Sequence, residues 1–380
     1  MTVFKLKNQI KHYEWGSTEW IPSVLGIENP DSLPFAELWM GVHPAGPSVI
    51  ADADERLDTF IARNSWSDLP FLFKALAADK PLSIQAHPSK AQAIVGFERE
   101  NRAEIPIDAS ERNYKDTNHK PEIICALTPF KAMAGFREIA EIRFLLDAFG
   151  LNDDRFISLK AALDNGLRTF LQALFGLSVE AKKRISDHIL ENCQTLCTRS
   201  PNLTEIWETA ASFATLYNGD PAVLSPLYLN LIDLEPGEAM FLPSGVLHAY
   251  IHGFGIELMA NSDNVLRGGL TPKHIDVEEL LNILKFSPFK PDVLHPSPVK
   301  YPTQIEEFSL SVLKNAENLS GNGSAIVFVT EGSLIVSENE DKIVLKRGES
   351  AFFAPLCGKR TCLRGDYTAY AAACGDLSFT

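Results

Sequence analysis

Four side chains in three short phrases have the makings of one metal site. Gln85 and His87 stand in Ser83-Ile84-Gln85-Ala86-His87-Pro88, Glu122 closes Asn118-His119-Lys120-Pro121-Glu122, and His248 ends Leu242-Pro243-Ser244-Gly245-Val246-Leu247-His248. Two imidazole nitrogens, a carboxylate and an amide oxygen form a borderline donor set suited to zinc, with no thiolate needed. One carboxylate leaves a dication with a formal charge of about +1, so the site still attracts anionic oxygen, and zinc can expand its coordination to accept it. Taken singly, each residue has an ordinary reading. A lone histidine on an apolar strand is usually hydrogen-bonded in a core, a glutamine beside it is a polar edge, and Glu122 after a proline is a solvated strand start. The case rests on their coincidence.

The elements that must position these residues are mostly strands. Gln85 and His87 are two apart in an apolar run beginning at Leu82, so a strand would present both on one face. His248 follows Gly237, Pro243 and Gly245 at spacings that resemble the hairpin of cupin barrels. That resemblance implies a tight turn presenting the histidine at the mouth of a double-sheet jelly roll. Short apolar runs punctuated by proline and glycine continue to about residue 136. From Arg137 the period becomes helical: Ile139, Ile142, Leu145, Leu146 and Phe149 share a face, as do Ile185, Ile189, Leu190 and Cys193. Asn202 and Glu205 offer a capping box for a helix carrying Ile206, Trp207, Ala210 and Phe213 and stopping near Gly219. A further helix is expected over 276–284, then a proline-rich linker from 288 to 302.

The expected fold is therefore mainly β with a helical insertion: two cupin-type jelly-roll β-barrels plus an inserted α-helical domain. Residues 1–136 and 226–290 would form a discontinuous catalytic unit, 137–225 the insertion, and 291–380 a second, metal-free jelly roll. The second roll rests on a short repeat. Leu234-Glu235-Pro236-Gly237-Glu238-Ala239-Met240-Phe241-Leu242 aligns with Leu345-Lys346-Arg347-Gly348-Glu349-Ser350-Ala351-Phe352-Phe353, and the second copy continues to Ala354-Pro355 without a histidine.

A chain of 380 residues with 45% apolar content can build substantial cores, and a formal charge of −14 argues against nucleic-acid binding and against docking on anionic membranes. An anionic substrate would then need a local basic pocket. The opening Met1-Thr2-Val3-Phe4-Lys5-Leu6-Lys7 lacks the apolar stretch of a secretory signal, and no later run reaches membrane-spanning length, so a cytoplasmic protein is expected. Cysteines at 125, 193, 197, 357, 362 and 374 form no CxxC pair and read as reduced packing thiols. A monomer is expected.

The metal phrases, together with Tyr13-Glu14-Trp15-Gly16, the run from Ala36 to Pro44 and the run from Glu257 to Gly269, resemble the signature segments of type I mannose-6-phosphate isomerases. The resemblance implies one Zn2+ per chain on Gln85, His87, Glu122 and His248, a catalytic role for Arg267, and interconversion of mannose 6-phosphate and fructose 6-phosphate. Moving a proton between C1 and C2 through a cis-enediol requires a base and stabilisation of developing oxygen charge. Glu257, Lys120, Tyr250 and Asp263 are candidates for the base. Ser83, Lys74, Lys90 and Lys273 are candidates for binding the phosphate. Arg267 could instead pair with Asp263 at the surface. Two rival readings are a non-catalytic, metal-containing sugar-phosphate-binding cupin and an iron-dependent dioxygenase, the latter leaving Gln85 and the cations unexplained.

Overall fold

The computed structural model describes residues 2–151, 153–314, 317–355, 361–375 and 377–379. Within them the strands form two antiparallel sheets of eleven strands each, and helices pack on the first.

The first sheet is organised about the strand His248–Ala260. Its opening residues pair with Phe130–Phe136 and, at His248, with Ile84–Ala86; the rest pairs with Phe71–Ala78 and Glu122–Ala126. The strand turns between its two sets of partners at Gly253. There φ is +134°, a Cβ would lie 2.6 Å from the Phe130 ring, and the register slips between Tyr250 and His252, so only glycine fits. Ile124, Ala132, Ile232, Met240, Leu242 and Tyr250 fill the space this bend encloses.

The second sheet repeats the plan about Ser324–Glu338, with Gly332 at φ +67° beside a register slip between Val329 and Glu331. Its interior is packed with Val327, Leu334, Val336, Leu345, Phe353 and Leu363. Phe73, Ile123 and Ile256 of the first sheet meet Phe328, Phe352 and Tyr370 of the second in a shared core. The strand Val3–Lys7 pairs with Ser350–Phe353, so the two ends of the chain meet in one sheet.

The sequence repeat corresponds to a repeated turn. Gly237 and Gly348 sit at φ +92° and +83°. In each copy the glutamate after the glycine reaches back to a main-chain amide, Glu235 N–H donating to Glu238 at 2.9 Å and Lys346 N–H to Glu349 at 2.8 Å.

The helices from Ile139–Phe149 to Ser225–Tyr228 lie between Phe130–Phe136 and Leu229–Leu234, two strands that are antiparallel neighbours. Removing them on paper would leave a hairpin. Ile139–Phe149 and Val179–Arg199 are helices that bury Ile142, Leu145, Leu146, Phe149, Ile185 and Ile189, whereas Ile139 and Leu190, expected on the same faces, are exposed. The expected capping box at Asn202 is not formed. A short 3-10 turn, Pro201–Leu203, leads into the helix Thr204–Leu216, whose cap residue Leu203 has no side-chain acceptor to offer. Asp276 caps Val277–Ile283 by accepting from Glu279 N–H. The expected linker contributes a two-residue strand, Val293–Leu294, paired with Ala239 and Met240.

No helix among the described residues is long and apolar enough to cross a membrane. Cys357 lies outside the described residues, and the other five cysteines are free.

Candidate active site

Cross-strand register brings the metal phrases together. His248 stands opposite Gln85, and Gln85 stands opposite Arg267 on its other side, so three functional side chains form one row across three strands. Their sequence neighbours Ile84, Ala86, Ala249 and Leu266 point the other way, into the core shared with the helices. That alternation turns the row toward the sheet interior. A second row, Trp39, Lys74 and Glu257, starts on the strand of His248 and crosses two more, and Glu122 pairs with Met259 two residues further along the same face.

His87, Glu122 and His248 converge, with one ligand atom from each lying within 4.8 Å of the others. His87 Nε2 is 3.3 Å from Glu122 Oε1, and His248 Nε2 is 3.2 Å from Oε2. Both Nε2 atoms and Glu122 Oε2 are buried without a hydrogen-bond partner. The far side of each ring is anchored: His87 Nδ1 is 2.7 Å from Asn264 O and His248 Nδ1 is 3.0 Å from Val246 O. Carbonyls only accept, so each Nδ1 carries the proton and each Nε2 presents a lone pair. Burial, then the Lys120 charge, pushes the His87 imidazole down to about 4. Burial alone would raise Glu122, but the Lys120 ammonium beside it outweighs this and holds the carboxyl well below its usual range. Two neutral imidazoles and a carboxylate with orphaned lone pairs aimed at one point fit a divalent cation.

Above this cluster opens a cavity of about 680 Å³. It is lined by Gln85, Lys120, Glu122, Tyr250, Glu257, Asp263, Arg267 and Lys273, with Ser83 and Lys74 and an aromatic rim of Tyr13, Trp15 and Trp39. Lys120 Nζ donates to Glu122 Oε1 at 2.9 Å. Lys74 is clasped by Glu257 at 3.0 Å and Glu37 at 3.3 Å, and Glu37 also accepts from the Trp39 indole at 2.7 Å. Burial lowers the Lys74 ammonium, but the two carboxylates outweigh it and hold it above the usual lysine range. Burial raises Glu257 despite Lys74. Burial, then the Glu257 and Glu122 charges, keeps the Tyr250 phenol protonated, and its hydroxyl is buried without a partner. Among the described residues Arg267 forms no ion pair with a carboxylate, and burial pushes its guanidinium down. Lys273 is lowered by burial and by the charges of Arg267 and Lys115. One end of the cavity is therefore cationic and short of anions.

Comparison with known proteins agrees with this geometry. Residues 3–139 match the model of the phosphomannose isomerase type I catalytic domain. Mannose-6-phosphate isomerase of Salmonella typhimurium is 40% identical over 92% of this chain and 94% of its own, and the human enzyme is 32% identical over 92% and 93%. The chain belongs to the type I phosphomannose isomerase family. A crystal structure of the Salmonella enzyme bound to its substrate and to zinc superposes with a TM-score of 0.88 at 36% identity, covering 98% of this chain and 99% of that one. A zinc-bound structure of mannose 6-phosphate isomerase matches equally well, at 37% identity.

Of the residues singled out from the sequence, Lys90 is the one that falls away. Ser89 caps the helix Lys90–Arg102, which turns Lys90 out to solvent, where its charge acts on Glu307 and not on the cavity. Lys74 lines the cavity, but two carboxylates neutralise it. The alternative pairing of Arg267 with Asp263 does not form, because Asp263 turns to His43 at 3.3 Å. Sequence reasoning missed Glu37, which alternates with Trp39 on one strand face, and His43 just beyond. It also missed Asp116 and Asn264, which tie the two loops flanking the site: Asn264 accepts from Lys115 N–H at 2.8 Å, and Asp116 accepts from Asp263 N–H at 2.8 Å. Asn264 lies within the run from Glu257 to Gly269, but nothing in that run marks it as the residue whose carbonyl orients His87.

Proposed function

We propose that this chain is a zinc-dependent aldose–ketose isomerase interconverting mannose 6-phosphate and fructose 6-phosphate by proton transfer through a cis-enediol. The observation that carries the reading is the trio of orphaned, buried donor atoms on His87, Glu122 and His248, set beneath a cavity with an unpaired guanidinium. Gln85, beside His248 in the ladder and on the cavity wall, is assigned as the fourth ligand through its amide oxygen. When bound, zinc supplies Lewis-acid stabilisation of charge on the sugar oxygens. Arg267 orients the substrate and stabilises developing charge on its oxygens, and Lys273 binds the anionic end, with Ser83 as a hydroxyl donor. Glu257, raised by burial, is assigned the proton transfer, while Lys120 and the neutral Tyr250 phenol donate hydrogen bonds to oxygen. We read the two bent sheets as jelly-roll barrels of cupin type and 137–225 as an insertion in the first. Strand Val3–Lys7 is assigned to the C-terminal barrel on its pairing. The chain is taken to work in the cytoplasm as a monomer.

A coupled assay of mannose 6-phosphate to fructose 6-phosphate, run before and after chelation and with zinc restored, tests the reading. Turnover that is lost with the metal and returns with zinc is expected. No turnover in the zinc-loaded protein leaves the non-catalytic binding reading. Glu257→Gln should retain zinc and lose both turnover and incorporation of solvent deuterium at C1 or C2.

A further inference from the structure

At the mouth of the cavity a buried histidine stands behind a half-exposed carboxylate. His43 is 5% exposed and does not itself line the cavity, whereas Asp263 does. The His43 ring is fixed on three sides. Its Nδ1 accepts from Ala45 N–H at 3.2 Å, so the proton resides on Nε2. Trp39 packs against it edge-on at 4.9 Å, and Trp39 is itself held by Glu37. Nε2 is then aimed at Asp263 Oδ1, 3.3 Å away.

Asp263 has little else to hold its side chain. Its main-chain N–H is tied to Asp116 Oδ2 at 2.8 Å, but about half of the side chain, 52%, is open to solvent. The other charged or titratable groups that face it are Lys115, Asp116 and Lys120 of the loop before Glu122, and Tyr13 of the amino-terminal segment. An aspartate with an unrestrained χ1 would sample several rotamers across the mouth. We propose that His43 is a positioning residue that fixes one oxygen of Asp263 and so presents the other to a hydroxyl of the bound sugar.

This inference rests on the reading of the cavity as the substrate site. It sets Asp263 apart from the other carboxylates of the cavity, Glu37, Glu122 and Glu257, which are engaged by Lys74, Lys120 or the metal residues. His43 also holds the Asp263 carboxyl below its usual range against the effect of burial, with Lys120 and Lys115 adding to the shift.

The test uses His43→Leu, His43→Gln, Asp263→Asn and the double variant His43→Leu/Asp263→Asn in the zinc-loaded protein. His43→Leu should keep its zinc and lower kcat on the order of tenfold, the scale of a misplaced reacting group. The acid limb of its kcat/KM profile should move to higher pH as Asp263 loses its partner. His43→Gln, which retains an N–H donor, should recover part of both. In the Asp263→Asn background, His43→Leu should change nothing further. Additive effects of the two substitutions, an unmoved acid limb, or a loss of zinc matching the loss of turnover would each overturn the proposal. Carbon NMR of the Asp263 carboxyl in native protein and His43→Leu gives a readout that needs no turnover. An unchanged titration there also overturns it, whereas an inactive native protein would refute only the isomerase reading.

Discussion

Arg267 owes its reactivity to what it lacks. Half-buried guanidinium groups normally find a carboxylate, and Asp263, four residues away, would have served had it not turned to His43. Left unpaired beside Gln85, Arg267 meets an anion without first breaking an ion pair. Arg267→Ala should therefore fold and bind zinc normally while kcat/KM falls by about 10²–10³. Steady-state kinetics with metal analysis checks this, and near-native kcat/KM would remove Arg267 from the chemistry. At this scale the sequence was most legible for residues whose type alone restricts their use. His87, Glu122 and His248 are seldom buried without a purpose, and they converge. Lys90 was misplaced because lysine is common and direction cannot be read from proximity in sequence. His43 and Asn264 escaped because orienting another side chain demands only a donor or a carbonyl, which most residues could supply.

Among the elements, the helical layer has a task that its sequence did not advertise. Asp220, just before Pro221–Leu224, accepts from Ala222 N–H at 2.9 Å and from Leu270 N–H at 2.7 Å, which pins the segment between Arg267 and Lys273 to the helices. Gly269 lies flat against the same place. Its φ is +129°, and a Cβ there would come within 2.1 Å of the Ala222 Cβ. Gly269→Ala should cost about 1–3 kcal/mol from overpacking, with backbone strain in addition. KM for the sugar phosphate should rise as Arg267 and Lys273 shift. Thermal melts and kinetics check both, and Ala222→Gly added to Gly269→Ala should return part of the stability by removing the clash but not the strain. Ile139–Phe149, Val179–Arg199 and Thr204–Leu216 were easy to find, because their apolar residues recur at a period set by local geometry, whereas the shorter Asp154–Leu163 and Leu167–Phe175 were not singled out. The role of the helical layer was hidden, since a contact between residues 220 and 270 leaves no periodic trace.

For the whole molecule, the joining of the chain's ends is the feature furthest from any local signal. Val3–Lys7 reads as one more short strand, and nothing in its residues says that its partner is Ser350–Phe353. The same junction holds Glu338, whose carboxylate accepts from Thr2 N–H at 2.7 Å and from Thr361 Oγ1 at 3.0 Å. Burial alone would raise this carboxyl, but the bonds from Thr2 and Thr361 outweigh it and hold it below 4.5. A folded-state value below the unfolded one stabilises the protein fully above pH 4.5, and that stabilisation is lost as pH falls through the folded-state value. Glu338→Gln should thus have a lower urea midpoint than the native protein at neutral pH, with the gap closing as pH falls through the folded-state value. A gap independent of pH would show that the carboxylate charge contributes nothing there.

Synthesis delivers Val3–Lys7 long before Ser350–Phe353. On the ribosome, Val3–Lys7 must therefore stay unpaired with its mate until Ser350–Phe353 has emerged. A nascent chain halted before residue 350 leaves one edge of Val3–Lys7 and one edge of Ser324–Glu338 without the strand that covers both.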